Sequence, residues 1–256
     1  MRWFVCWDGS PAANRALWFA LALRRGSDRL TIYHCSNPGR HQTSAGEGEF
    51  SRASMEAKVR ALVAESVAVQ EIDEVFDEKL AGHDEAIADR ILTISSQRRA
   101  DVLVLGSMGT KGEGSRTFQK HALGKSAHAA VLRSHASCVV LMRPASSRPG
   151  SRISFLAAID GSSYASLVLG TVRRLARPSD ELIVRTYGCT LSEEAYNRYS
   201  EELAGLVTSG QIEDYAVVPD GEQRAASIAE RLQLQADAML GDAVVVFGAK
   251  GDGKAA

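Results

Sequence analysis

The apolar residues of the first half of the chain form short runs that alternate with stripes of helical spacing. The short runs predict strands at residues 3–7, 30–35, 71–77, 102–105 and 138–142. The stripes, in which apolar positions recur every three or four residues, predict helices at residues 11–25, 51–68, 84–98 and 124–134. Ser10 is expected to cap the first helix, because Pro11 follows it in the first turn.

Alternating strands and helices predict an α/β fold, in which right-handed crossovers build a parallel sheet that is covered on both faces. Ligands of such Rossmann-like sheets bind beyond the carboxyl ends of the strands, where the strand order reverses. The rule directs attention to three places: Asp8 after the first strand, Cys35 at the end of the second, and Gly106 after the fourth.

A second copy of the first unit begins near residue 156. The stretch that starts at residue 4 aligns with it without a gap, and the tripeptide Asp8-Gly9-Ser10 falls on Asp160-Gly161-Ser162. Between the copies, residues 143–152 (RPASSRPGSR) have the composition of a linker. We therefore expect two tandem domains, at residues 1–145 and 152–256. The second lacks a counterpart of the last helix and strand of the first.

Composition and charge exclude several classes of protein. The 256 residues carry a formal net charge of −1, so they have no basic footprint for nucleic acid and no acidic tail. No apolar run approaches the roughly 20 residues that span a bilayer, and the start of the chain does not resemble a secretory signal. The expected compartment is the cytoplasm.

Neither cysteine nor histidine spacing predicts a metal site. The four cysteines are scattered singly, three of them inside apolar strand-like runs where a free thiol packs as a small hydrophobic side chain. Histidines recur every seven residues at His121, His128 and His135, which is not the close pairing on one turn that a zinc site needs. We expect neither a metal nor redox chemistry.

Glycines cluster after the fourth predicted strand and before the fourth helix. Gly106 and Gly109 open this segment, and Gly124, Lys125 and Ser126 begin the helix. Glycines let backbone amides approach an anion, and a helix N-terminus adds unpaired N–H groups, so the segment could hold phosphate. Turns between a strand and a helix also require glycines when nothing binds. A Walker P-loop is excluded, because Gln119 stands where its first glycine belongs.

The whole unit resembles a universal stress protein domain. The resemblance is carried by the strand that ends in Asp-Gly-Ser, by the segments ADVLVLGSMG and GKSAHAAVLRSHASCVVLMRP, and by the Gly-x-x-Gly of Gly106 and Gly109. Here 14 residues separate Gly109 from Gly124, where the family's ATP-binding motif has nine, and Lys125 replaces a hydroxyl residue, with Ser126 one step later.

The resemblance implies a site for ATP or AMP in the first domain. Adenosine would lie beside the Asp8-Gly9-Ser10 turn, with the adenine edge held by backbone that follows Cys35. The implied phosphate-binding residues are Gly106, Gly109, Gly124, Lys125 and Ser126. Lys125 either binds phosphate or faces solvent. No nucleotide is expected in the second domain.

Three functions remain open at this point. The first, implied by the resemblance, is a stress-response regulator that binds nucleotide and is not an enzyme. The second is an enzyme of the wider adenine nucleotide alpha hydrolase superfamily, although no acid–base pair or activated nucleophile can be assembled from the sequence. The third is an interaction scaffold that has lost its ligand.

The last strand of the first domain predicts an assembly. It runs from Cys138 to Met142 (CVVLM), and by resemblance it lies at the edge of the sheet. An apolar edge strand exposes unpaired N–H and C=O groups, so another strand is expected to cover it. We expect a homodimer that pairs two such strands, with pairing to the second half of the same chain as the alternative.

Overall fold

The computed structural model describes nine stretches of the chain. They are residues 1–36, 52–64, 72–78, 86–107, 124–141, 152–159, 165–186, 192–218 and 242–247. Gly109, most of the glycine-rich segment and the linker lie outside these residues.

Nine strands lie within the described residues. They are β1 (Arg2–Cys6), β2 (Arg29–Ser36), β3 (Ile72–Glu78), β4 (Val102–Gly106), β5 (Ser137–Leu141), β6 (Ile153–Ile159), β7 (Glu181–Thr186), β8 (Asp214–Val218) and β9 (Asp242–Phe247). Each of the five strands predicted for the first half is confirmed to within one residue where its end is described.

Six helices lie in the same described stretches. They are α1 (Pro11–Leu23), α2 (Arg52–Ala64), α3 (Ile87–Gln97), α4 (Lys125–Arg133), α5 (Ala165–Leu175) and α6 (Glu193–Thr208). The predicted cap of α1 is confirmed, because the Oγ of Ser10 accepts a hydrogen bond of 3.1 Å from the N–H of Ala13. The sequence placed the start of α3 too early, since its N-cap is Ala86, which has extended backbone and makes no side-chain capping bond.

All nine strands belong to one sheet in the order β3-β2-β1-β4-β5-β9-β6-β7-β8. Within each half every pairing is parallel, as the alternating pattern predicts. The second half repeats the strand order of the first, since β9, β6, β7 and β8 correspond to β4, β1, β2 and β3. The two halves meet where β5 and β9 pair antiparallel.

The expected homodimer edge is therefore not an edge. In β5, Val140 is paired with Leu105 of β4 on one side and with Val245 of β9 on the other. The backbone groups that a second chain would need are used by the same chain. Our preference for a homodimer through this strand was wrong, and the alternative, pairing with the second half, is what the structure contains.

Side chains also join the two halves beside β5. The rings of Phe19 on α1 and Phe155 on β6 meet edge to face with centroids 6.4 Å apart. The buried hydroxyls of Ser137 and Thr171 are hydrogen-bonded at 2.8 Å. A polar pair that is satisfied inside an apolar contact fixes the relative position of the elements that carry it, here β5 and α5.

Helices cover both faces of the first-half sheet. Side chains of α1 and α2 pack with Trp3, Val5 and Val104 on one face. Side chains of α3 and α4 pack with Phe4 and Leu103 on the other. This distribution follows from right-handed crossovers that leave β1 in one direction and β4 in the other. The strand order reverses between β1 and β4, where the fold rule places a ligand.

A buried aspartate anchors the corresponding corner of each half. Asp28 accepts hydrogen bonds from the backbone N–H of Arg25, at 2.9 Å, and from the indole of Trp3, at 3.0 Å. Asp180, which the gapless alignment places on Asp28, accepts from the backbone N–H groups of Arg177 and Ile153, both at 2.8 Å. In both halves, therefore, a carboxylate ties the start of the first strand to the turn after the helix that follows it.

Arg99 has an unusual backbone conformation at the end of α3. Its φ is +50°, a left-handed value that only this non-glycine residue has in the described part of the chain. The N–H of Arg99 bonds to the carbonyl of Ser96 and that of Ala100 to Ser95, both at 2.9 Å, the pattern of a Schellman motif. At the end of α6 the same pattern is built with a glycine, Gly210, whose φ is +68°.

Arg99→Gly should therefore stabilise the fold. Glycine adopts the left-handed conformation without the Cβ clash that other residues have, so we expect the free energy of unfolding to rise by about 1 kcal/mol. Urea denaturation measures the change. Arg98→Gly is the matched control: Arg98 has helical backbone, with φ −78° and ψ −1°, so glycine there should cost up to about 1 kcal/mol. Equal effects of the two substitutions on the free energy of unfolding would contradict the left-handed conformation of Arg99.

Candidate functional site

The turn after β1 is fixed by its own side chains. The Oδ1 of Asp8 accepts a hydrogen bond of 3.0 Å from the N–H of Ser10. Between them Gly9 has a φ of +81°, a left-handed value that favours glycine over other residues. A Cβ added to Gly9 would also lie 3.2 Å from the Cε of Met55. Ser10 is 1% exposed and caps α1. The N-terminus of α1 is thus closed by a side chain of this chain.

Backbone bonds to β2 hold the residue that precedes this turn. The N–H of Trp7 donates to the carbonyl of Tyr33, and its carbonyl lies 2.9 Å from the Nδ1 of His34. The indole N–H of Trp7 donates to Asn14 of α1 at 2.7 Å. Asp8 therefore leaves the sheet from a position that β2 and α1 both determine.

The end of β4 packs directly against α1. A Cβ added to Gly106 would lie 2.7 Å from the carbonyl carbon and 2.9 Å from the carbonyl oxygen of Ala12. These are backbone atoms, so no side chain fits without moving the helix. The close approach of strand and helix accounts for this glycine, and its predicted contact with nucleotide stays a prediction.

The start of α4 is attached to the end of β4. The N–H of Gly124 donates to the carbonyl of Ser107 at 2.7 Å, and Ser107 is buried. Gly124 is the N-cap, with φ −62° and ψ 156°, and no side chain of the described residues makes a capping bond. The first turn contains no acidic residue. Lys125 is exposed and Ser126 is half-buried. Unlike α1, α4 presents the N–H groups of its first turn without a side-chain cap.

The sheet brings these separate segments together. β1 and β4 are parallel neighbours, with Trp3 opposite Val102, so the residues that follow them lie at the same end of the sheet. Asp8 and Gly106 are therefore adjacent, and Gly124 joins them through its bond to Ser107. Cys35 is the next-to-last residue of β2, one strand further on. Of the nine residues predicted for the site, Gly109 alone is outside the described residues.

A partly buried polar network beside this end was not predicted from the sequence. Asp77, near the end of β3, accepts a hydrogen bond of 3.0 Å from the hydroxyl of Tyr33. Arg90 of α3 donates to both carboxylate oxygens of Asp77, at 2.6 and 2.7 Å. Burial raises the pKa of Tyr33 well above its usual value, and the neighbouring Cys35 and Asp77 raise it further. The tyrosine is a fixed hydrogen-bond donor that holds α3 against the ends of β2 and β3.

Two thiols of the first-half sheet, those of Cys6 and Cys138, are poor nucleophiles. Burial raises the pKa of Cys138 to about 12. Burial also raises the pKa of Cys6 well above its usual value, with further increases from Cys138 and Asp8. Both groups are therefore neutral at pH 7, whereas the thiolate is the reactive form. Among the described residues, no group of three or more His, Cys, Asp or Glu side chains could bind a metal ion.

The family comparison concerns the same half of the chain, whereas the structural comparisons span nearly all of it. Residues 2–142 match the model of the universal stress protein family. The chain is similar to the structure of a universal stress protein from Archaeoglobus fulgidus, with 15% identity and a TM-score of 0.59, over 98% of this chain and 97% of the other. A putative universal stress protein from Pseudomonas aeruginosa has 11% identity and a TM-score of 0.51, over 96% and 93%.

At these identities the structural similarities show the fold alone. No protein of curated function matches the sequence. In the described part of the chain, no helix is both long enough and apolar enough to cross a membrane.

Proposed function

Because the chain belongs to the universal stress protein family, we propose that its first half binds ATP or AMP where β1 and β4 end, and that it acts in the stress response by binding and not by catalysis. The phosphates would lie at the start of α4. The adenosine would lie beside Asp8 and the end of β2.

The observation that carries the proposal is the uncapped start of α4. Gly124 is held to the end of β4 by its bond to Ser107, and it has no side chain to accept the N–H groups of the following turn. An anion can therefore accept them. Phosphate is favoured there by the N–H groups and by the helix dipole together. The exposed Lys125 adds a positive charge next to these groups.

The neighbouring turn supports a base and ribose on the β1 side. Asp8 is half-buried and oriented by the N–H of Ser10, and Gly9 brings the backbone close to Met55. Asp8 follows β1, and Gly124 is held at the end of β4. A molecule that contacts both must therefore span the place between β1 and β4 where the strand order reverses. A nucleotide has that shape, with an anionic end and an apolar ring.

The chemistry of the site favours binding over catalysis. Cys6 and Cys138 are neutral thiols because of burial, and the carboxylate of Asp77 is paired with Arg90. None of these groups is a general base or an activated nucleophile. We propose that bound nucleotide changes the conformation around α4, and that a partner protein responds to the change.

We also propose a single nucleotide for each chain. In the first half, α4 connects β4 to the adjacent β5. The corresponding strand of the second half, β9, has β5 as its neighbour instead, and that strand arrives antiparallel from the first half. A helix that begins after β9 and leads to the next strand has no equivalent position there.

Substitution of Gly124 tests the proposed site. Gly124→Asp should cap α4 with its own carboxylate, because the backbone of Gly124 already has the extended N-cap conformation. Stability should be unchanged or slightly higher. Affinity for ATP should fall by roughly 100-fold, since the carboxylate occupies the N–H groups and repels phosphate. Isothermal titration calorimetry measures the affinity, and thermal unfolding measures the stability.

Gly124→Asn is the matched control for charge. It can cap the same N–H groups but carries no charge, so a loss of only about tenfold is expected. If ATP binds the wild type and both variants equally, phosphate does not lie at the start of α4. A third outcome, in which Gly124→Asp unfolds the protein, would show that the N-cap conformation is not as described.

A further inference from the structure

A second cleft lies at the opposite end of the first-half strands. It occupies the space between the ends of α3 and α4, directly before β4 and β5, and has a volume of about 360 Å³. That volume is within the range of small-molecule sites. Asp8, Gly106 and Gly124 are at the other ends of these strands, so this cleft is separate from the proposed nucleotide site.

The lining of the cleft is basic. Arg99, Arg133 and His135 are among the residues that line it, together with the hydroxyl residues Thr93 and Ser96. None of the described residues that line it is acidic. Arg133 forms an ion pair of 2.6 Å with Asp89, outside the lining. Arg99 is exposed and takes part in none of the ion pairs among the described residues.

The end of α3 uses three of its last four carbonyls in backbone bonds. The carbonyls of Ile94, Ser95 and Ser96 each accept a backbone N–H from residues 98–100. At the end of α4, the carbonyl of Ala130 accepts the N–H of Ser134. These bonds use four of the acceptors that would otherwise attract the basic side chains to the helix ends.

The left-handed conformation of Arg99 is the second observation that points to a ligand. The turn at residues 95–100 needs a residue with positive φ, and the turn after α6 meets the same need with Gly210. An arginine costs folding free energy at such a position, and here the arginine is one of the residues that line the cleft. The chain therefore has an arginine, Arg99, at a position where glycine would make the fold more stable, and a second arginine lines the same cleft.

We propose that this cleft binds a small molecule that carries a phosphate group. Guanidinium groups donate paired N–H bonds that match the oxygens of phosphate, which favours phosphate for a site with two arginines. The hydroxyls of Thr93 and Ser96 can bond to a polar body such as a sugar. The site is independent of nucleotide binding at β1 and β4.

The probe is ribose 5-phosphate. Ribose, which lacks the phosphate group, is the uncharged control. In an NMR titration of the full chain, ribose 5-phosphate should shift the backbone signals of residues 99–101 and 134–136 in a saturable way, and ribose should not. Arg99→Gln, which removes only the charge, should weaken binding about tenfold or more. Arg99→Gly should do the same while it stabilises the fold, so the loss cannot be attributed to unfolding.

Arg98→Gln is the matched control. Arg98 precedes Arg99 but pairs with Asp73 and does not line the cleft, so its variant should bind as the wild type does. The proposal is overturned if no saturable shift occurs, if ribose or sodium chloride of equal ionic strength produces the same shifts, or if the Arg99 variants retain full affinity. None of these results bears on ATP binding, which Gly124→Asp tests separately.

Discussion

Val140→Pro should unfold the centre of the sheet. β5 is bonded on both sides, to β4 and to β9, and proline can neither donate to a strand ladder nor fit an interior strand. Val140 is also fully buried. We expect the free energy of unfolding to fall by about 3 kcal/mol or more. Chemical denaturation followed by tryptophan fluorescence and circular dichroism measures the loss.

Val140→Ala separates the backbone effect from the lost side chain. It removes two buried carbons but keeps the N–H, so it should cost about 2 kcal/mol. The two variants also decide between the alternative assemblies. A Val140→Pro protein that folds as stably as the wild type, and differs only in mass by light scattering, would mean that β5 is an edge strand of a homodimer.

Gly106→Ala should destabilise the first half and disturb the proposed site. The added Cβ would meet the backbone of Ala12 at 2.7 Å, closer than any Cβ contact that a folded protein tolerates. Either α1 or the end of β4 must move. Overpacking of this kind costs about 1–3 kcal/mol. ATP affinity should fall as well, because Asp8 and Gly124 are positioned through these two elements.

Gly170→Ala is the control with the opposite expected sign. Gly170 lies inside α5, and nothing lies within 4 Å of a Cβ added there. Alanine should therefore stabilise the helix by up to about 1 kcal/mol. Thermal unfolding of both variants gives the comparison. If Gly106→Ala is as stable as Gly170→Ala, the contact between β4 and α1 is looser than the structure has it.

The sequence predicts the elements of the first half well because each carries its own local signal. β4 is an unbroken apolar run between polar residues, and α1 begins with a serine cap followed by Pro11. Local signals also locate Asp8, Gly106 and Gly124 at strand or helix ends, where the fold rule brings them together. The start of α3 was misplaced because Ala86 gives no capping signal.

The sequence does not predict the contacts between segments that are distant along the chain. The partner of β5 depends on the strand next to it in space, and β9 lies about a hundred residues later in the chain. Gly106 looks like a phosphate-contacting or turn glycine until the position of Ala12 is known. Likewise, nothing in the sequence marks Asp77 and Arg90 as a pair, or Arg99 as left-handed, since each depends on the tertiary position of its neighbours.

Titration of the intact chain with ATP tests the central claim most directly. Calorimetry on wild-type protein should give a saturable isotherm with one ATP per chain, and Gly124→Asp should weaken the affinity by roughly 100-fold while thermal unfolding shows an intact fold. AMP should compete for the same site. No binding, two ATP molecules per chain, or binding that Gly124→Asp leaves unchanged would contradict a single nucleotide site at the ends of β1 and β4.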